Sequence, residues 1–502
     1  MTFPPGTSPP PDGHDAGFPE GFAIVLAADT RVTDGGRVLI GGSPIRILRL
    51  TPSGAEVVRR WSGPEGGPVP GAAAATRLAR RLLDAGMAHP RPGHPRLGAA
   101  DVTVVIPVRD QPGPLTQLLD GLTGHPDRPD IVIVDDGSAD SGAVARIAGR
   151  FGARLLRLEA SLGPGAARNR GWKTATTAAI AFLDADCSVV GPWLDGLLGH
   201  LNDPCVALCA PRVVAVRGDA PGWLAAYETF RSPLDLGPVE APVRPRGRVA
   251  YLPAAALLAR RSALEAIGGY DESLSVGEDV DLVWRLVSAG WVVRYEPAVE
   301  VGHICRPSIT SWLAQRVRYG TSAAALDQRH PGAVAPLTVG GWSALSWGLA
   351  GVGLPRLAAA VATGTTLALP RRLRGLEHPW REGLRLAGFG HLAAGRVVAD
   401  AVRRAWWPPA LVAGAVSRRM RRGVMAAAVL PPLLEWATGQ RPLDPARWAA
   451  LRLADDLAYG TGVWWGSARC GRWGALRPDL ANWPGRSPAV ERLDWRGPQP
   501  GT

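Results

Sequence analysis

Three textures of apolar and polar positions follow one another along the chain. In the middle stretch, Val102-Thr-Val-Val-Ile106, Ile131-Val-Ile-Val134 and Ala179-Ile-Ala-Phe-Leu183 are short apolar runs, each ending in a polar turn. Between the first two, Leu115, Leu118, Leu119 and Leu122 lie at helical spacing. Buried strands alternating with amphipathic helices predict an α/β fold, a mostly parallel sheet with helices on both faces. Ligands of such sheets bind beyond the carboxyl ends of the strands. The acidic clusters of this chain fall at those ends.

The first texture is shorter. Arg37-Val-Leu-Ile40 and Ile45-Arg-Ile-Leu-Arg-Leu50 read as strands around the Gly41-Gly42-Ser43-Pro44 turn. Thr51-Pro52 is a helix start, a capping hydroxyl followed by proline at the first helical position. A second helix from Ala72 to Ala85 carries Leu78, Leu82 and Leu83 inward and stops at Gly86. This predicts a small winged-helix-like module over 22–92, preceded by a floppy Pro- and Gly-rich tail over 1–21. Ala88-His-Pro-Arg-Pro-Gly-His-Pro95 reads as a linker into a catalytic domain over 101–330.

The third texture, over 331–502, is helical, basic and rich in tryptophan. Gly341 to Leu369 is apolar apart from Arg356, but Pro355 and several glycines interrupt it, so it falls short of a spanning segment of ~20 residues. Arg371, Arg372 and Arg374 follow. Trp406-Trp407 precede Arg418-Arg419 and Arg421-Arg422, and Val424 to Trp436 is apolar again. Apolar helices flanked by Arg and Trp predict membrane association, as helices at a bilayer interface or loosely inserted ones. The rival is a buried bundle with a basic outer face.

Charge sharpens this division. The 502 residues carry 56 − 44 = +12, and from Gly340 onward 22 arginines stand against 10 acidic residues, so that third accounts for the whole excess. It also holds 12 of the 19 tryptophans. The remainder is neutral on balance, which excludes a nucleic-acid partner bound through a general basic footprint. Cys187, Cys205, Cys209, Cys305 and Cys470 form no metal-type pair, as expected of reduced thiols. No secretory signal opens the sequence, so the expected location is the cytoplasmic face of the cell membrane.

Two acidic clusters follow neighbouring strands: Asp135-Asp136-Gly137-Ser138 and Asp184-Ala185-Asp186. Carboxylates crowded together repel unless a cation or hydrogen-bond donors offset them. Hard oxygen ligands suit Mg²⁺ or Mn²⁺, the ions that bridge proteins to diphosphates. A third cluster, Gly277-Glu278-Asp279, opens a helix whose apolar face is Val280, Val283, Trp284 and Val287. Negative charge is favoured there by the helix dipole alone, yet a carboxylate on a rigid helix start is also a well-held general base. Asp281 and Arg285 are an i,i+4 structural pair.

Val104-Val-Ile-Pro-Val-Arg-Asp110, Val134-Asp-Asp-Gly-Ser138, Gly165-Ala-Ala-Arg-Asn-Arg-Gly171, Leu183-Asp-Ala-Asp186 and Gly277-Glu-Asp279 resemble, in order and spacing, the family 2 glycosyltransferases. The resemblance implies the Rossmann-like GT-A fold, a nucleotide-sugar donor, a divalent metal and inversion at the anomeric carbon. It implies that Pro107, Val108 and Arg109 line the base, although Arg109-Asp110 departs from the family's usual residues. Asp135 or Asp136, with Asp136 favoured, would contact uracil or ribose; Arg168 and Asp184 would also serve the nucleotide-sugar. Asp186 would ligate the metal and Asp279, beside Glu278, would deprotonate the acceptor hydroxyl. His303 matches a second metal ligand of some members; a lone His after a strand reads equally as structural. Gln315, Arg318 and Tyr319 resemble the Q-x-x-R-W motif of processive members, with Tyr in place of Trp, and would face acceptor and diphosphate.

Residues 35–50, the transferase stretch and Tyr319-Gly-Thr-Ser-Ala-Ala together resemble the glycosyltransferases of mycofactocin biosynthesis. That implies UDP-glucose as donor, a peptide-derived redox cofactor as acceptor and a β-1,4-glucan as product. The N-terminal unit resembles small peptide-binding modules, against the simpler reading of an appendage covering the domain's edge. Two rivals stand beside this expectation. One is a transferase for a cell-envelope lipid or polysaccharide; the other is a non-catalytic peptide-binding scaffold, which would have no need of all these carboxylates.

Overall fold

The computed structural model describes residues 17–123 and 128–480. Residues 1–16 of the expected tail and 481–502 of the expected C-terminal region lie outside the described residues. The chain forms two compact units, one from 17–218 and 228–305, the other from 219–227 and 306–480.

The first unit opens with β1 (Ala23–Leu26), β2 (Arg31–Thr33), β3 (Val38–Gly41), β4 (Arg46–Arg49), α1 (Pro52–Trp61), β5 (Gly67–Pro68), α2 (Ala73–Ala85) and β6 (Ala88–Arg91). They make two antiparallel sheets, β2-β3-β4 and β5-β1-β6. Thr51 Oγ1 accepts the Gly54 amide at 3.1 Å to start α1, and Gly86 ends α2 at φ 66°. Ile24, Leu39, Trp61 and Leu82 are wholly buried between these elements. The expected linker at 88–95 is corrected here: its first four residues are β6, with His89 and Pro90 buried and Val25 opposite His89. β6 is an edge strand, where proline is tolerated, so its proline hid it. Arg80 of α2 reaches Asp203 with both guanidinium nitrogens, and Arg91 reaches Glu240 at 3.0 Å. These pairs fasten the module to the domain that follows.

That domain contains β7 (Val102–Val108), α3 (Pro112–Thr123), β8 (Asp130–Asp136), α4 (Ser141–Phe151), β9 (Arg154–Leu158), α5 (Pro164–Trp172) and β10 (Ala179–Leu183). It continues with β11 (Cys187–Ser188), α6 (Asp195–Leu198), β12 (Val206–Val216), α7 (Gly222–Arg231, of which 222–227 belong to the second unit), β13 (Ala241–Pro242), β14 (Ala256–Arg260), α8 (Arg261–Ile267), α9 (Glu278–Ser288) and β15 (Val292–Ile304). The sheet order is β11-β15-β12-β14-β10-β7-β8-β9, with β13 also on β15. β10, β7, β8 and β9 are parallel, and so are β12 and β15, but β14 runs antiparallel to both its neighbours and β11 and β13 antiparallel to β15. The sheet is therefore mixed, where a mostly parallel one was expected. The apolar runs legible in the sequence are the parallel half; the antiparallel pairings come from β11, β13 and β14 across the switch beside β10. α5 lies close on this half: a methyl group added at Gly171 would come within 2.3 Å of Val105 Cγ1.

The second unit contains α10 (Ile309–Arg329), α11 (Gly341–Gly351), α12 (Pro355–Arg372), α13 (Pro379–Arg404), α14 (Trp407–Val416), α15 (Arg418–Thr438) and α16 (Pro445–Cys470). The division between units falls at 305/306, ahead of α10 rather than after it. Small residues let α10 run against α16: a methyl group on Gly320 would meet the Tyr459 carbonyl at 2.0 Å, and one on Gly462 the Val317 carbonyl at 1.9 Å. Tyr227, Trp312 and Trp448 pack together beside them, and Arg316 reaches Asp455 at 2.8 Å. Among the described residues, no helix is long and apolar enough to cross a membrane.

Candidate active site

Strand order reverses between β10 and β7, and the residues after β10 carry the chemistry. Leu183 is buried at the end of β10, and the turn that follows is fixed by Asp184 N donating to the Ala255 carbonyl at 3.0 Å and Cys187 N to the Asp184 carbonyl at 3.0 Å. Cys187 then pairs with His303 across β11 and β15, and Ile304 N donates to the Asp186 carbonyl. This short antiparallel return brings Asp186 Oδ1 to 3.3 Å from His303 Nε2. Asp184, Asp186 and His303 each offer a ligand atom, and the three lie within 4.8 Å of one another. Two carboxylate oxygens and an imidazole suit a divalent ion, so the donor set fits the expected metal.

Arg168, on α5, stands behind this cluster. It is buried, its Nη2 donates to Asp184 Oδ1 at 2.7 Å and its Nη1 to Glu278 Oε1 at 2.9 Å. Its guanidinium also lies over the Tyr270 ring, 5.5 Å from the centroid. One side chain thus joins the turn after β10 to the start of α9. A buried Arg in a two-pronged pairing of this kind is held rigidly.

Asp279 occupies the first turn of α9. Its Oδ2 accepts the Ala254 amide at 3.1 Å and its Oδ1 the Val280 amide at 2.8 Å. Burial, and then the neighbouring Glu278 charge, push its carboxyl up to about 7, against the opposing pull of the two amides. A carboxyl poised there can exchange a proton near neutral pH. Asp281 and Arg285 pair at 2.7 Å, as i,i+4 spacing predicts.

The remaining expected residues fall in several places. Asp135 is buried, accepts the Ser138 amide at 2.9 Å and pairs with Arg157 at 2.7 Å. Asp136 accepts from Ser161 Oγ and from the Leu162 and Gly163 amides at 2.7–3.1 Å. Both carboxylates serve the loops around the carboxyl end of β8, and Asp136 shapes the entry to α5. Arg109 is exposed, 3.0 Å from Ser161 Oγ, and Pro107 is half-buried. Val108 is buried and packs into the main core. Gln315, Arg318 and Tyr319 belong to the second unit, where Gln315 Nε2 donates to the Tyr319 hydroxyl at 3.0 Å. Arg318 is exposed, and its neighbour Arg316 is the buried arginine of that helix.

Sequence reasoning passed over Asn169 and Tyr270. Asn169 Oδ1 accepts from the Tyr270 amide and Trp172 Nε1, and its Nδ2 donates to the Tyr270 carbonyl and Glu272 Oε1. It thereby fastens the 268–272 turn under Arg168. Gly269 is required there: it sits at φ 74°, and a methyl group would meet Asn169 Oδ1 at 2.5 Å. The Gly268-Gly269-Tyr270 run was the available signal.

Residues 103–268 match the family model described as glycosyl transferase family 2. The chain is 42% identical over 477 residues to the pre-mycofactocin glycosyltransferase of Mycobacterium tuberculosis (strain ATCC 25618 / H37Rv), covering 92% of this chain and 98% of that one. The chain belongs to the pre-mycofactocin glycosyltransferases of family 2. The transferase is also 31% identical, over 250 residues, to the N-acetylglucosaminyl-diphospho-decaprenol L-rhamnosyltransferase of the same organism, covering 40% of this chain and 76% of that one. A solved mannosyltransferase from Pyrobaculum calidifontis, in complex with GDP-Man and Mn²⁺, matches at a TM-score of 0.36 and 19% identity, covering 61% of this chain and 89% of that one.

Proposed function

We propose that the transferase moves glucose from UDP-glucose to a hydroxyl of a peptide-derived redox cofactor, with inversion, and extends the product as a β-1,4-glucan. The observation that carries the donor class is the convergence of Asp184, Asp186 and His303 at the strand end. Such a set suits a diphosphate held through Mg²⁺ or Mn²⁺. Bound there, the ion would offset the charge that develops on the departing diphosphate. The near-complete match to a pre-mycofactocin glycosyltransferase supports the acceptor class over a cell-envelope lipid, since the rhamnosyltransferase likeness stops at two-fifths of the chain.

The chain's own residues would divide the work. Arg168 would keep Asp184 and Glu278 in register, so that donor and acceptor sides move as one. Asp279, ionised, would accept the acceptor's hydroxyl proton as that oxygen attacks C1. The C1–O bond to UDP breaks in the same step and its electron pair leaves on the diphosphate. No enzyme nucleophile is needed, and the anomeric configuration inverts. The N-terminal module would hold the peptide portion of the acceptor.

The test incubates the full chain with radiolabelled UDP-glucose, Mn²⁺ and a peptide-derived cofactor acceptor. The expected product is a β-linked glucoside that lengthens with time and disappears in excess chelator. Transfer from another sugar nucleotide only, or to a polyprenyl acceptor only, would overturn the reading.

A further inference from the structure

The second unit leaves an unusual surface at the place where two helical turns meet. α11 and α12 are joined by Val352-Gly353-Leu354, and α14 and α15 by Ser417. A methyl group on Gly353 would lie 3.0 Å from Arg419 Cβ, and one on Gly423 would lie 2.9 Å from the Gly351 carbonyl. The two turns therefore adjoin. Their side chains point outward: Val352 and Leu354 are exposed, and Val416 is 84% exposed. Arg418, Arg419 and Arg422 are exposed beside them, and no ion pair of theirs is found among the described residues.

Isolated exposed apolar residues need no explanation, but this tip combines them with concentrated charge of one sign. α11, α12 and α14 contain no Asp or Glu, and α15 contains only Glu435, which faces Arg452. Like charges set together repel, so a counter-charge is wanted from outside. A protein partner with an acidic groove would meet the arginines but not the protruding aliphatic tip. A bilayer interface meets both, since anionic headgroups attract Arg and the acyl boundary receives apolar side chains. Among the described residues no helix is long and apolar enough to cross, and the contact inferred is one of lying on the surface.

We infer that the joined turns at 352–354 and 416–422 form a docking tip for an anionic lipid bilayer, the apolar side chains entering the headgroup boundary and the arginines pairing with lipid phosphates. This inference does not depend on the donor or acceptor reading. The full chain is floated with phosphatidylcholine vesicles with and without one-third phosphatidylglycerol. The wild type should partition to the anionic vesicles at least tenfold better than to neutral ones, and high salt should reduce the difference. The triple variant V416S/R418E/R422E should lose at least tenfold of that partition while its thermal unfolding curve is unchanged. Arg419 is left in place because its stem packs against Gly353. R418K/R422K, which keeps the charge, should retain most of the partition and covers the case of a variant that misfolds. Equal binding to both vesicle types, full binding by the charge-reversed variant, or a concentration-dependent dimer that V416S dissolves in place of vesicle binding would overturn the inference.

Discussion

The two units of the chain treat apolar side chains in opposite ways. In the catalytic sheet, Val104, Ile106, Ile133, Phe182 and Leu183 are shut away from water completely. In the helical unit, Leu411 is 58% and Phe389 65% exposed, and Val416 more than either. The buried positions there include a charged set, Arg403, Arg452 and Asp456, in which Arg403 Nε donates to Asp456 Oδ2 at 2.8 Å. Large apolar side chains left this exposed are surface kept for something other than the unit's own core. The sheet builds a site; the helices build a surface.

This contrast can be broken at its sharpest point by Asp186→Ala. The substitution removes an oxygen from the Asp184–Asp186–His303 set and leaves the sheet's apolar core untouched. Transfer should fall below detection, and Mn²⁺-dependent retention of UDP should weaken, while the unfolding curve is preserved. Turnover of the wild type in excess chelator would show that the set serves another purpose.

The contrast in burial itself is sharpened by a matched pair of truncations. Leu118, on α3, is fully buried, and Leu118→Ala should cost ~2–5 kcal/mol, the usual range for a cavity of that size. Leu411→Ala, on α14, should change stability by no more than ~0.5 kcal/mol. Denaturant titrations of the two variants check this directly. Equal costs would mean that Leu411 is covered by the protein in solution.

Much of the site was legible because its carboxylates follow apolar runs that are strands in their own right. Asp184 and Asp186 could be placed at the end of β10 from Ala179–Leu183 alone, and Glu278 and Asp279 at a helix start from the apolar spacing behind them. What joins them was not legible. Arg168 meets Asp184 across 16 positions and Glu278 across 110, and no local pattern reports a contact at that distance. The same holds for Arg80 and Asp203, 123 positions apart. Strand direction leaves no local trace: β14 is as apolar as the parallel strands yet runs against both neighbours, while the proline and arginine of β6 make it read as a linker. His303 was readable as either ligand or structural residue, and only the β11–β15 pairing brings it to Asp186.

The most direct test of the account is the pH dependence of transfer in the wild type and in Asp279→Asn. Burial and the Glu278 charge raise the Asp279 carboxyl to about 7 from an ordinary value of 3.8, so it is protonated below that pH and basic above it. The same proton contributes stability at low pH that fades as the pH rises through about 7. Wild-type kcat/KM should therefore climb through about pH 7 and level off. Asp279→Asn should lower kcat by ~10²–10⁴, the usual range for loss of a general base, remove that limb of the profile and leave donor affinity within a few-fold. A variant that keeps the wild-type kcat and profile would contradict the account, and another carboxylate would have to take the acceptor's proton.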